Sequence, residues 1–263
     1  MHRLAALALC LPFCGLPAVA AAANVEAGYS VRWAGIEIGR FEVDLRTGSD
    51  AYRLSYAART TGAVAWFFEF ESTGSATGRL TPEGPSVDRY EGRSARDDDR
   101  ASHWQVDFAP DGTVAGVALD EVSRGDREPV PAELMVGPDP FTLAFQGLLE
   151  AAAGKRLEGR SFDGKRVMGF FMDCAPAPGP VHPAAFPAPR GGALFCTADG
   201  ELLAGRSKRW GDRTDEHNAG RPPARLWLAP DVGGLPHWPV RIEAEGRFGA
   251  VTIELDHLVE PAA

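Results

Sequence analysis

Tyr29-Ser30-Val31-Arg32-Trp33-Ala34-Gly35-Ile36-Glu37-Ile38-Gly39-Arg40-Phe41-Glu42-Val43-Asp44-Leu45 decides the fold class. Tyr29, Val31 and Trp33 alternate with Ser30 and Arg32. After Ala34-Gly35 come Ile36 and Ile38, then Phe41, Val43 and Leu45 opposite Glu42 and Asp44. Successive side chains of an extended strand point to opposite faces, so this period of two describes two strands with one buried and one wet face. The phase slips at Gly39, which predicts a bulge or bend there.

The same pattern spreads outward in both directions. Tyr52, Leu54 and Tyr56 alternate with Arg53 and Ser55. Near the end of the sequence Leu226 and Leu228 precede a Gly/Pro-rich turn. Trp238, Val240 and Ile242 then face away from Arg241 and Glu243, and Val251, Ile253 and Leu255 face away from Thr252, Glu254 and Asp256. Asp111-Gly112, Asp163-Gly164 and Asp199-Gly200 each separate two apolar runs. Asp-Gly suits the positive φ angles of a type I′ turn, so each pair predicts a hairpin. The expected fold is all-β: an antiparallel open barrel or strongly curved meander sheet.

One segment has a different period. Asp139-Pro140 supplies an N-cap and a proline at the first helical position. Phe141, Phe145, Leu148, Leu149 and Ala152 then recur at helical spacing, and Gly154 follows as a stop. This predicts one amphipathic helix over about 140–153 that plugs or covers the open sheet.

The first 23 residues predict the compartment. Met1-His2-Arg3 is a short basic start, Leu4 to Leu16 is apolar, and Ala18-Val19-Ala20 and Ala21-Ala22-Ala23 both fit a small-x-small cleavage site. That pattern is a secretory signal peptide, too short for a membrane span. The expected organisation is therefore a signal peptide at 1–23, cleaved near Ala20–Ala23, and a single β-rich domain at 24–263. The expected location is the periplasm. Phe13 before Cys14 is too bulky for a lipidation motif. Cys10 and Cys14 leave with the leader, and Cys174 and Cys196 remain. In an oxidising compartment such a pair forms a disulfide, worth about 3 kcal/mol for a loop of this size. Between them, residues 175–191 are rich in proline, which excludes a central strand and marks a loop.

Cleavage removes one Arg and no acidic residue, taking the net charge from −9 to −10. So acidic a chain does not fit nucleic acid or anionic lipid as a partner. No second apolar run reaches the ~20 residues of a transmembrane segment.

The residues also carry a resemblance. Leu226-Trp-Leu-Ala-Pro-Asp, Trp238-Pro-Val-Arg-Ile-Glu-Ala and Phe248-Gly-Ala-Val resemble the end of an uncharacterised family of exported bacterial proteins, domain of unknown function 3108 (DUF3108). The opening Tyr29-Ser-Val-Arg-Trp-Ala-Gly-Ile-Glu-Ile-Gly and the capped helix start at Asp139-Pro140 are similar to that family too. The resemblance implies an antiparallel β architecture in a Gram-negative periplasm and no catalytic residue.

Reactive constellations are weak. Gly74-Ser75-Ala76-Thr77-Gly78 lacks nucleophile-elbow spacing. His103, His182, His217, His237 and His257 are scattered, without metal-ligand spacing. Asp97-Asp98-Asp99 lacks the spacing and glycine of a calcium loop, and Arg124-Gly125-Asp126 lies in a polar loop. No metal, cofactor or catalytic residue is expected. Trp66-Phe67-Phe68-Glu69-Phe70 reads either as a buried central strand or as rings that line an apolar cavity or meet an apolar partner. On the second reading Trp33, Trp66, Phe68, Phe70 and Trp104 are the candidate ligand-binding residues. The functional expectation is a non-enzymatic periplasmic binding or carrier protein for a lipid or other apolar ligand. The alternatives are an envelope-assembly or interaction scaffold recruiting an envelope protein, and a carboxylate-based hydrolase.

Overall fold

The computed structural model describes residues 23–96, 101–120, 127–179, 192–208, 221–246 and 249–259. The leader, the Asp97–Asp99 cluster, Arg124–Asp126, and His182 and His217 lie outside the described residues, as does most of the proline-rich loop.

Among the described residues, thirteen strands form one antiparallel sheet with the order β7-β6-β5-β4-β3-β2-β1-β13-β12-β11-β10-β9-β8. The strands are β1 (Asn24–Trp33), β2 (Ile36–Thr47), β3 (Ala51–Thr60), β4 (Phe70–Thr81), β5 (Gly84–Arg96), β6 (Ser102–Phe108) and β7 (Val114–Leu119). After the one α-helix among the described residues, α1 (Pro140–Ala152), come β8 (Leu157–Phe162), β9 (Val167–Pro176), β10 (Leu194–Ala204), β11 (Ala224–Val232), β12 (Leu235–Gly246) and β13 (Gly249–Val259). The sheet is a meander interrupted once: β1 pairs with both β2 and β13. The two edges, β7 and β8, are consecutive in the chain, and α1 lies in the connection between them. Among the described residues no ladder joins these edges. The connecting segment instead seals part of the seam, with Thr113 bridged to Val136 and Phe162 N donating to Pro138 O. The expected open, curved meander is what forms, and it does not close as a barrel.

The opening hairpin follows its sequence. Ala34 and Gly35 both have positive φ, 49° and 85°, which gives the type I′ geometry that matches strand twist. Trp33 pairs with Ile36, and the register shifts where Val31 faces Gly39 and Arg32 faces Glu37, so the bulge lies at Ile38–Gly39. The Asp-Gly pairs behave differently. At 111–112 and 163–164 hairpins form, but only the glycines take positive φ. The aspartates cap the turns through their carboxylates instead: Asp111 accepts from Thr113 N, and Asp163 accepts from Lys165 N and Arg166 N. The third expected hairpin is absent. Asp199 and Gly200 lie within the continuous β10, opposite Phe171 and Phe170 of β9. A ladder running the length of β9 outweighs a local turn preference. β9 itself extends through Ala175 and Pro176, two residues into the segment read as loop.

Helix α1 sits inside the curve of the sheet, packed against β5 on one side and β8, β9 and β12 on the other. Asp139 caps it, accepting from Phe141 N at 2.9 Å and Thr142 N at 3.2 Å. Lys155 N to Glu150 O and Gly154 N to Ala151 O close its other end in a Schellman arrangement, with Gly154 at φ 68°. Phe145 is buried against Tyr52, ring centroids 5.6 Å apart, in the cluster that includes Leu45, Leu54, Val232, Leu235 and Trp238. Phe141 stacks on Tyr56 at 4.3 Å. Cys174 and Cys196 face each other across β9 and β10 and are disulfide-bonded, with Cα atoms 4.0 Å apart. The outer face of the sheet carries charge. Arg32, Glu254, Arg241, Glu243 and Arg225 form an alternating ion-pair row across β1, β13, β12 and β11. The arginines of this row are partly solvent-facing while Glu254 and Glu243 are largely covered by them, and the row marks which face is wet.

Candidate functional site

The inner-facing residues of both halves of the sheet meet α1 only in part. Between the helix and strands β1–β3, β9 and β11–β13 they leave a cavity of about 210 Å³. Its walls are apolar. Tyr29, Phe41 and Ile253 come from the strands around β1, Trp238 and Ile242 from β12, and Phe141, Phe145 and Leu148 from the helix. The cavity exists because α1 fills one side of the curve and stops short of the other. Phe145 reaches Tyr52, whereas Ala144, on the next face, is too small to reach the opposite wall and remains exposed. The polar groups near the cavity are largely satisfied. Tyr29 donates to Pro239 O at 2.8 Å, and its burial pushes the phenol pKa well above the ordinary range, so it stays neutral. The buried Trp238 indole N–H approaches the Tyr29 hydroxyl without closing a hydrogen bond of normal geometry.

A second concavity, of about 920 Å³, lies on the sheet face over β3–β7. It is open and polar, with Arg53, Glu91, Arg93, His103 and Asp120 among its lining residues. His103 Nδ1 lies 3.2 Å from Asp120, which also accepts from His103 N at 2.7 Å. The strongly perturbed carboxyl, Asp139, is elsewhere. Burial pushes its pKa up to about 6. A raised carboxyl pKa often marks a general acid, but one oxygen of Asp139 takes two backbone N–H groups of α1 and the other takes the Thr142 hydroxyl. The side chain is fully buried, so its chemistry is that of a helix cap with no room for substrate. Among the described residues no group of three or more His, Cys, Asp or Glu could hold a metal ion, and no helix is long and apolar enough to cross a membrane.

None of the five rings singled out in the sequence lines the apolar cavity. Trp66 ends a 3₁₀ turn, Gly62–Trp66, and is 84% exposed, so the run of rings is not a buried central strand, and only its last residue, Phe70, opens β4. Trp33 ends β1 and is 41% exposed. Phe68 stacks on Phe70 with the Arg96 guanidinium 5.0 Å over its ring. Trp104 packs against Tyr90, with Lys165 over its face at 4.9 Å, beside the polar concavity. Of the rings that do line the cavity, Tyr29, Phe41, Phe141, Phe145 and Trp238 are visible in the sequence as the inward positions of alternating strands and of the helix face. Their signal is periodicity on several elements at once. The count of aromatics in one run pointed elsewhere.

Residues 28–172, from β1 into β9, match the family model described as protein of unknown function (DUF3108). The chain belongs to the DUF3108 family. The match takes in the opening hairpin and the capped helix, while the tail strands that also carried the resemblance lie beyond it. Beyond the DUF3108 match, a solved structure is similar over nearly the whole fold. It is the beta-barrel-like protein of domain of unknown function DUF1849 from Brucella abortus, 12% identical, with a TM-score of 0.55, covering 91% of this chain and 98% of that one. At that identity the likeness concerns the fold. No curated protein matches the chain.

Proposed function

We propose that this DUF3108 protein is an exported, non-enzymatic carrier that holds a lipid or other apolar ligand in the cavity between α1 and the sheet. The observation that carries the reading is the cavity itself. About 210 Å³ of apolar-walled space exceeds the roughly 150 Å³ void that takes up benzene in an engineered protein. It suits a segment of an acyl or isoprenoid chain. Phe41, Leu148, Phe170, Leu226, Ile242 and Ile253 line it and keep accessible surface for a ligand to cover. Export rests on the leader, and the bonded Cys174–Cys196 pair fits an oxidising compartment.

The test is to purify the protein from a periplasmic fraction, extract it with organic solvent and identify co-purified lipid by mass spectrometry. Uptake of the apolar dye N-phenyl-1-naphthylamine is measured on the delipidated protein. Ala144→Trp, which fills the cavity from the helix, is expected to abolish dye uptake while the fold is retained. A protein that is empty on extraction and takes up no dye overturns the carrier reading.

A further inference from the structure

We propose that the end of the curved sheet bearing the β1–β2 turn docks on the surface of a zwitterionic lipid bilayer, with Ile36, Trp66 and Phe67 entering the interface. The inference rests on the carrier reading, since it names the place from which an apolar ligand would enter and leave.

Trp66 and Phe67 are 84% and 86% exposed and consecutive in the chain; Ile36 is 65% exposed. They come from two neighbouring connections, the β1–β2 turn and the β3–β4 loop. The loop is fixed to the hairpin. Thr61 N donates to Ile38 O at 3.1 Å, Thr61 Oγ1 donates to Glu37 at 3.1 Å, and Phe70 N donates to Thr60 Oγ1 at 3.0 Å. The 3₁₀ turn is closed by Phe67 N and Phe68 N donating to Val64 O. The rings are thus presented at a braced tip.

The tip adjoins the cavity. Ile253 lines the cavity and pairs with Val31 and Ile242; two residues further along β13, Val251 pairs with Trp33. Two residues of strand span about 7 Å, so the wall becomes the rim within one side-chain step. Part of the accessible surface inside the cavity lies on this side. Ile253, Ile242 and Leu226 are half-buried, whereas Leu45 and Leu54, toward the opposite end, are buried beneath Phe145.

Two features favour a bilayer over a protein partner. The first is size. A Trp or Phe buries about 150–250 Å², so a convex tip of three side chains falls below the roughly 800 Å² per partner of a stable protein interface. The second is layering. Immediately behind the tip lies a collar of ion pairs, Arg40–Glu37, Arg59–Glu42 and Arg32–Glu254. Aromatic rings ahead of a charged layer reproduce the depth order of a membrane interface. The collar carries equal numbers of both signs and the whole chain is at −9, so electrostatics gives no preference for anionic lipid.

The experiment is co-sedimentation of the mature chain with phosphatidylcholine vesicles and, in parallel, phosphatidylglycerol vesicles. The wild type is expected to bind phosphatidylcholine at least as well as phosphatidylglycerol. The double variant Trp66→Ser, Phe67→Ser is expected to lose at least about tenfold in vesicle affinity, with its thermal transition and dye uptake from solution unchanged. Wild type that stays in the supernatant, or a double variant that binds as wild type does, overturns the docking surface. So does a concentration-dependent dimer that this variant abolishes without any vesicle binding, since the tip then serves a second copy. Ala144→Trp separates the two readings. Vesicle binding that persists in this variant while dye uptake is lost supports docking at the tip independently of the cavity, and a wild type that binds vesicles yet is empty and takes up no dye counts against the carrier alone.

Discussion

The Tyr52 hydroxyl lies 2.7 Å from Thr142 Oγ1, and Thr142 in turn donates to Asp139. With the threonine proton committed to the carboxylate, Tyr52 is the donor in a buried chain running from β3 to the cap of α1. This chain fixes the helix in the curve of the sheet, and the cavity is what the fixed helix leaves over. Tyr52→Phe removes the terminal donor and little volume. It is expected to lower the unfolding free energy by about 1 kcal/mol, with an unchanged denaturant slope, as measured by urea titration.

Asp139 gives a pH signature. Its folded pKa of about 6 lies above the ordinary 3.8 because burial disfavours the charged form. The folded state therefore holds the proton more tightly than the unfolded state. The corresponding stability is fully present below pH 3.8 and is lost as pH rises through 6. Asp139→Asn keeps an acceptor for the α1 amides and does not titrate. Unfolding free energies at pH 4 and pH 7 should show the variant gaining on the wild type by about 2 kcal/mol as pH rises. A difference that is flat across this window would place Asp139 at its ordinary pKa.

The Cys174–Cys196 bond joins the loop-side ends of β9 and β10, next to the Ala177 N to Ala193 O hydrogen bond. It closes the segment between positions 22 apart. Cys174→Ala with Cys196→Ala is expected to cost about 3 kcal/mol, read from denaturant midpoints with and without reductant. Reductant should lower the wild-type midpoint and leave the double variant unchanged.

Two glycines of the sheet should respond in opposite ways. A Cβ on Gly92 would lie 2.5 Å from Trp104 Cζ2 and 2.7 Å from the Thr73 carbonyl oxygen. The backbone atom cannot yield, so Gly92→Ala is expected to destabilise by about 1–3 kcal/mol. At Gly200 the nearest atom is 3.6 Å away and φ is not in the left-handed region. Gly200→Ala is expected to be neutral or slightly stabilising. Thermal denaturation of both variants checks this, and equal effects would place Asp199-Gly200 in a turn after all.

How far the sequence could be read depends on how local each feature is. The opening hairpin, its bulge and the helix with Asp139 and Gly154 at its ends are set by residues within a few positions of one another, and they form where expected. Asp199-Gly200 misled because a turn preference is local, whereas the ladder that overrides it comes from β9, some thirty residues away. The cavity was harder still. Tyr29, Phe141 and Trp238 meet only because β1, α1 and β12 are brought together by the whole sheet. No window of sequence contains all three. Trp66 and Phe67 were noticed, but a run of rings does not say which way the chain turns, and there it turns outward.

The place of β1 in the sheet bears on how this molecule comes into being. β1 pairs with β2 across a two-residue turn, but its other neighbour is β13, Gly249–Val259, at the far end of the chain. Until β13 is in place one edge of β1 stays bare, the kind of edge that captures other chains. The join between first and last strand also spans the greatest loop in the fold, which makes it slow to form. Ile253, on that last strand, is part of the cavity wall. Assembly thus ends at the cavity wall: until the final strand docks there is no enclosure, and a chain cut short before β13 would present Tyr29 and Phe41 to any apolar surface nearby.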